Sequence, residues 1–511
     1  MKRITSLILA LLMLAGALAS CNTTEPAETT DVITTEAPAT DATTEPETEP
    51  DTTYRIGGTP LAEFTVIYFE GYEATAKELA ARLSAVCGTE LSVKLASEST
   101  GNHEIVIGWD KLSATTAGYG FDDFGAVKSQ NTDAISINGG STYAIDTACA
   151  RFAKLFTADK YHYDFSDITF TYTLPDRQEY INDLSKLALH WEFYHETPEW
   201  MLDFDEKYAS YNTPDGRLMS CLHRGEMVYY PEDSIEALIS AIMLGGDMVE
   251  IDPRVTKDGV FVLLHDSTLT RTTDFAEKAG KNGLPESPYL QDWTYDQLQQ
   301  LNLKMGQGGD GAVVTPYKVP TLDEAIKVCA NRIFIRLDVK EDANGIIFWE
   351  FDRDIWPLLE QYQAYTTVIC TWHSAFYSGG YSFTRELRER TTALCGRPIL
   401  NFMKNEAKAD LLTRSIKSYD LTYMMRLTCN FSQYSYKDFL AENKARFEGF
   451  KGKIRMYADV HNTNAAYPEN CESDAFYQEL YDVGINVQLV NYGYNLCTYI
   501  AKNFTATEYT K

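Results

Sequence analysis

His223, Glu250, Asp252 and His265 are the residues of this chain whose type and spacing most clearly suit chemistry, and all four fall between positions 221 and 273. Glu250 and Asp252 are two apart in a strand-like run, and on a strand residues i and i+2 point the same way. They therefore present two carboxylates on one face, a donor pair suited to a hard divalent cation. His223 and His265 each close an apolar strand-like run, so two imidazoles could flank that cation as acid and base. A single histidine at a strand end is more often a satisfied hydrogen-bonding group than a catalyst. Two of them with an E-x-D between them read as a site. No Cys-x-x-Cys or Cys/His metal spacing is present.

Positioning these side chains requires strands. The run ending in His223-Arg224-Gly225 is followed by helical periodicity over 234–244, then by the run with Glu250 and Asp252. A Lys257-Asp258-Gly259 turn and a second apolar run ending in His265-Asp266 come next. Beyond Arg217 the pattern is strand then helix, repeated. Strands are expected at 219–222, 248–251, 260–264, 333–337, 368–371, 399–403, 423–427, 454–457 and 485–490. Helices are expected at 235–244, 322–329, 346–362, 383–394, 406–419, 436–447 and 476–482. This alternation implies an α/β fold, a TIM-type (β/α)8 barrel, with chemistry at the C-terminal strand ends. His223, Glu250, Asp252, His265 and Asp338 all fall at such ends. Nine runs compete for eight places. The suspect pair is 248–251 and 260–264, joined by a tight turn with no helix between.

The stretch 221–273 resembles the glycerophosphodiester phosphodiesterase family. The matching pieces are HRG (223–225), PEDS (231–234), EID (250–252), TKDG (256–259), HD (265–266) and RTT (271–273), in the family's order. The resemblance implies metal-dependent hydrolysis of glycerophosphodiesters derived from lipid head groups or glycerol-phosphate polymers. His223 would act as general base and His265 as general acid, with Arg224 and Lys340 clamping phosphate oxygens. It also implies a third metal ligand where the family has Glu, one residue and then Lys; here Asp338 and Lys340 take those places. Asp is one methylene shorter, which calcium tolerates better than magnesium because its coordination is less strict. Calcium is therefore slightly preferred.

Other positions depart from the family. Asp233 replaces an Asn, so an amide donor is lost. His373 stands where the family usually shows Ser-Phe and could face the substrate. Residues 266–318, ending in the Gly-rich 306–311, lie where the family has its insertion at the mouth of the site. Agreement weakens toward the C-terminus, at 456–459 and 489–492. Two other readings stay open: a phospholipase C- or D-like lipid phosphodiesterase, and a non-catalytic cell-surface binding protein on the same barrel.

The remainder of the 511 residues sets the context. A formal net charge of −28 argues against a nucleic-acid partner. Lys2 and Arg3 precede an apolar run over 7–18, an export signal too short for a comfortable membrane span. Leu18-Ala19-Ser20-Cys21 resembles a bacterial lipobox, with lipidation at Cys21; an ordinary secretory signal is the alternative. The expected order is a lipoprotein signal peptide (1–21), a disordered acidic Thr/Glu/Pro linker (22–55) and a small α/β accessory domain (56–175). An aromatic-rich connector (176–216) and the barrel (217–511) follow. The expected location is extracytoplasmic, with a lipid anchor as the membrane contact.

In the accessory domain, strands are expected at 64–68, 91–95, 104–108 and 134–137, and helices at 74–86 and 142–155. A sugar or cell-wall ligand and a purely structural spacer are both compatible with it. The connector aromatics are expected to pack between domains, with His190 and His195 structural. Cys21 apart, nine cysteines remain; an odd number cannot pair completely, and buried free thiols are expected.

Overall fold

The structure is a computed structural model. It describes residues 51–108, 119–130, 132–189, 197–213, 215–338, 340, 351–369, 371–372, 399–402, 424–427, 455–460 and 472–506. For 351–352, 371–372, 399–402, 424–427 and 459 this covers the backbone alone. Cys21, His190, His195, His373 and the helices expected at 383–394, 406–419 and 436–447 lie outside the described residues.

Eight parallel strands close into a barrel. In chain order they are β1 (Met219–His223), β2 (Met248–Ile251), β3 (Phe334–Leu337), β4 (Val368–Ile369 and Thr371–Trp372), β5 (Ile399–Phe402), β6 (Met424–Leu427), β7 (Arg455–Asp459) and β8 (Ile485–Val490). Each pairs with the next. The first half of β4 lies against β3 and its second half against β5, and β8 returns to β1. Strands β3 (FIRL) and β8 (INVQLV) are buried along their whole length, as expected of parallel strands covered on both faces.

The surplus ninth run is 260–264. Residues Phe261–Leu263 pair antiparallel with Pro253–Val255 in a separate two-stranded hairpin, with Gly259 at φ +87° in the turn. A parallel partner for β2 would need a crossover of a dozen or more residues, and the Asp258-Gly259 turn is too short to supply one.

The barrel interior holds Met219, Cys221, Met248, Phe334, Ile369, Tyr457, Val487 and Leu489. One end is plugged by the connector helix Phe204–Asn212. The Phe204 and Tyr211 rings each lie 5.0 Å from that of Phe334, and Arg455 on β7 donates to Tyr211 O at 3.1 Å. The helix Ile235–Met243 starts at Ser234, whose Oγ accepts from Ala237 N, and its apolar face joins the core outside the sheet. A last helix, Gly493–Asn503, was not expected from the sequence; it covers β1.

The accessory domain is a six-stranded sheet in the order Val93–Leu95, Thr65–Tyr68, Glu104–Ile107, Ile135–Gly139, Phe124–Lys128, Phe170–Tyr172. The first four strands are parallel, and the last two, which the sequence did not reveal, are added through antiparallel pairings. Helices Glu73–Cys87 and Thr142–Lys154 pack on it. It meets the barrel where Asp122 is hydrogen-bonded by Tyr317 and where Tyr143 lies edge-on to Tyr229 at 6.5 Å. Cys87, Cys149, Cys221, Cys329 and Cys497 are free thiols, all but Cys87 buried. Among the described residues no helix is long and apolar enough to cross a membrane.

Candidate active site

Strand register brings the chemistry together. His223 at the end of β1 lies opposite Glu250 on β2, and Glu250 lies opposite Arg336 on β3. Two residues further along, Asp252 and Asp338 continue the same faces of β2 and β3. One ligand oxygen from each of Glu250, Asp252 and Asp338 lies within 4.8 Å of the other two. Oxygens on a single calcium ion, each at about 2.3–2.6 Å from it, sit up to about 5 Å apart. The three therefore fit around one ion, and the shorter Asp338 side chain still reaches the group.

Burial makes this cluster costly without a counter-charge. Glu250 Oε2 and both carboxylate oxygens of Asp252 are sealed from solvent and accept no hydrogen bond. Burial, then the neighbouring Asp252 and Asp338 charges, hold the Glu250 pKa well above the usual carboxylate value. The cations offset only part of this. Lys340 Nζ lies 2.8 Å from Asp338 Oδ2 and 3.1 Å from Asp252 Oδ1. The fully buried Arg336 is 3.8 Å from both Glu250 Oε1 and Asp338 Oδ1 and donates to Tyr457 OH at 3.1 Å. Buried carboxylate oxygens that accept no hydrogen bond, gathered in one acidic group, are the donor set a divalent cation takes, so these residues fit one.

His223 sits beside the cluster, with Nε2 3.8 Å from Glu250 Oε2. Its Nδ1 lies 2.8 Å from Asn491 Oδ1 at the end of β8. An amide oxygen only accepts, so Nδ1 carries the ring proton and Nε2 keeps its lone pair toward the acidic group. The Glu472 carboxylate holds Asn491 in place by accepting from the backbone N–H groups of Asn491 and Tyr492 at 2.9 and 2.7 Å. Burial, and next the Arg224 charge, push the His223 pKa well below the usual imidazole value, so the ring is neutral. His265 is more exposed than His223, and its Nδ1 lies 2.6 Å from Asp266 Oδ1. The hydrogen bond from His265 is the largest cause of the depressed Asp266 pKa, so a carboxylate backs this ring.

Arg224 turns inward. It donates to Glu232 Oε2 at 2.8 Å, and its Nε is 3.2 Å from Asp252 Oδ2. Asp233 adopts a positive φ of 58°, and its Oδ1 accepts from Asp252 N at 3.3 Å. An acceptor is what that contact needs, so the Asp found in place of an amide serves there. The sequence singled out the two histidines, the three carboxylates, Arg224 and Lys340. It gave no role to Asn491, Glu472 or Arg336. The alternation of Arg336 with Asp338 along one strand was the available signal for Arg336. Asn491 lies 268 positions from His223, and no local motif marks it.

The family model described as the glycerophosphoryl diester phosphodiesterase family matches residues 223–379. The chain is similar to a glycerophosphodiester phosphodiesterase of Caldanaerobacter subterraneus, 31% identical over 130 residues, which are 25% of this chain and 46% of that one. It is also similar to glycerophosphodiester phosphodiesterase 1 of Bos taurus, 34% identical over 147 residues, 27% of this chain and 41% of that one. The human counterpart is 33% identical over 132 residues, 26% of this chain and 36% of that one. The chain thus spans less than half the length of these relatives.

Proposed function

We propose, from the match of residues 223–379 to the glycerophosphoryl diester phosphodiesterase family model, that this chain hydrolyses glycerophosphodiesters with the aid of a divalent cation. The observation that carries the reading is the buried group of Glu250, Asp252 and Asp338, with carboxylate oxygens that accept no hydrogen bond, beside a neutral His223.

Glu250, Asp252 and Asp338 would hold the ion, calcium in preference to magnesium because the Asp338 side chain is short. When bound, such an ion neutralises charge building on phosphate oxygens. His223 takes the proton of the attacking hydroxyl, the substrate's own or water's, at Nε2. Asn491 keeps that nitrogen unprotonated by occupying the other. His265, with its Nδ1 proton committed to Asp266, delivers a proton from Nε2 to the departing alkoxide. If the substrate's own hydroxyl attacks, the cyclic product is opened with the two roles exchanged. Arg224 and Lys340, paired with carboxylates in the ion-free protein, would meet the remaining phosphate oxygens. The pocket shape that selects the alcohol is assigned to the insertion 266–318.

Phosphorus-31 NMR of glycerophosphodiesters incubated with the protein tests this. The expected result is conversion to a phosphomonoester and free alcohol, stopped by EDTA. A homogeneous, calcium- or magnesium-loaded protein that leaves every diester intact would overturn it.

A further inference from the structure

One side chain in the site region has every donor committed. Arg271 lies six residues beyond His265, in the insertion. Its Nε and Nη2 donate to the two oxygens of Asp266 at 2.7 and 3.0 Å. Its Nη2 and Nη1 donate to the two oxygens of Glu232 at 2.7 and 2.9 Å. A second Nη1 bond goes to Gln307 O. A guanidinium has five N–H groups, and all five are used. Each carboxylate is gripped by a separate two-pronged face of the same plane, which fixes the two relative to one another.

Those carboxylates are the supports of the site's two arms. Asp266 backs the Nδ1 of His265, and Glu232 holds Nη1 of Arg224. We propose that Arg271 is a positioning residue that locks the acid histidine and Arg224, whose Nε lies against Asp252 of the acidic group, into one frame, through Asp266 and Glu232. The proposal rests on the functional reading above and deepens it.

The Gly-rich stretch of the insertion gains a role from this geometry. Gly309 N donates to Arg271 O at 2.7 Å, Gln307 O takes the fifth side-chain proton, and Glu232 N donates to Gly306 O at 2.9 Å. Gly308 has φ +68°, and a Cβ there would collide with Arg271 O. Residues 306–309 therefore wrap both the backbone and the side chain of Arg271. Lysine keeps the charge but is a point donor without the fork, so it cannot hold two carboxylates in register.

Leaving-group dependence separates a positioning role from a merely structural one. An alkyl alkoxide needs protonation as it departs, whereas p-nitrophenolate does not. With an alkyl glycerophosphodiester, Arg271→Lys and Arg271→Ala are expected to lower kcat by about 10²-fold, the lower range for a general acid. With a p-nitrophenyl phosphodiester the loss is expected to be several-fold smaller. Asp266→Asn should share this dependence on leaving group. Glu232→Gln, which loosens Arg224 directly but leaves the Asp266 contacts of His265 and Arg271 in place, should lose activity more evenly on the two substrates.

Equal losses on the two substrates for both Arg271 variants, or wild-type turnover of the alkyl substrate by Arg271→Lys, would overturn the proposal. Arg271→Lys carries the test if the alanine variant does not fold. Proton NMR gives a readout that needs no turnover. A low-field His265 Nδ1 proton is expected in the wild type and should be lost or broadened in Arg271→Lys. Its persistence unchanged would sink the proposal even if the wild-type protein cleaved no diester, an outcome that would separately remove the functional reading.

Discussion

Glu250 and Asp252 show how one strand's parity sets both the chemistry and the cost of this site. Their carboxylates share a buried face with Asp338, and Glu250 is ionised only against burial and two like charges. A raised carboxylate pKa means that the ionised form destabilises the ion-free protein at neutral pH. Glu250→Gln should therefore raise the melting temperature in EDTA. The same variant should lose the further rise that added calcium or magnesium gives the wild type. Paired melting curves with and without ion check both halves. At the same scale, His223→Ala and His265→Ala are each expected to lower kcat by roughly 10²–10⁴-fold, measured by product release. The i, i+2 spacing made the carboxylate pair legible from sequence alone. Asn491 was not legible, because its contact with His223 exists only once the barrel closes β8 onto β1.

The elements explain which readings of the pattern held. Eight of the nine apolar runs became barrel strands. The ninth failed because a four-residue turn can return a chain antiparallel but cannot cross it over to a parallel neighbour. The two strands added to the accessory sheet through antiparallel pairings were missed because Phe124–Lys128 carries a glycine and Phe170–Tyr172 is three residues long. The seam between this sheet and the barrel holds a pH-sensitive contact. Asp122 Oδ2 is sealed from solvent. Its pKa is pushed up to about 6, first by burial and then by the Glu236 and Asp123 charges, against the hydrogen bond from Tyr317. The folded protein therefore holds a proton that the unfolded chain has released between about pH 4 and 6. Stability from this group is full below about pH 4 and is lost as pH rises through about 6. Asp122→Asn should flatten that dependence and stabilise the protein at pH 7–8 by about 3 kcal/mol. Urea titrations at pH 4.5 and 7.5 would reveal it, and an unchanged pH slope would contradict the assignment.

For the whole molecule, a net charge of −28 gives no general attraction for an anionic diester, so the pull must be local. An ion held by the acidic group, with Lys340 beside it, would supply it. The apolar run at 7–18 and Cys21 carry the further proposal of a lipid anchor on the outer face of a bacterial membrane. Palmitate labelling of the full chain is expected to mark the wild type and to be absent in Cys21→Ser; labelling retained in that variant would refute the anchor.

Calorimetric titration of calcium, and separately magnesium, into the ion-stripped chain tests the central claim most directly, with glycerophosphodiester turnover read on the same samples. One ion per chain should bind the wild type, turnover should rise in proportion to occupancy, and Asp252→Asn should show neither. Full turnover by the stripped wild type, or stoichiometric binding that survives Asp252→Asn, would contradict an ion-assisted site at Glu250, Asp252 and Asp338.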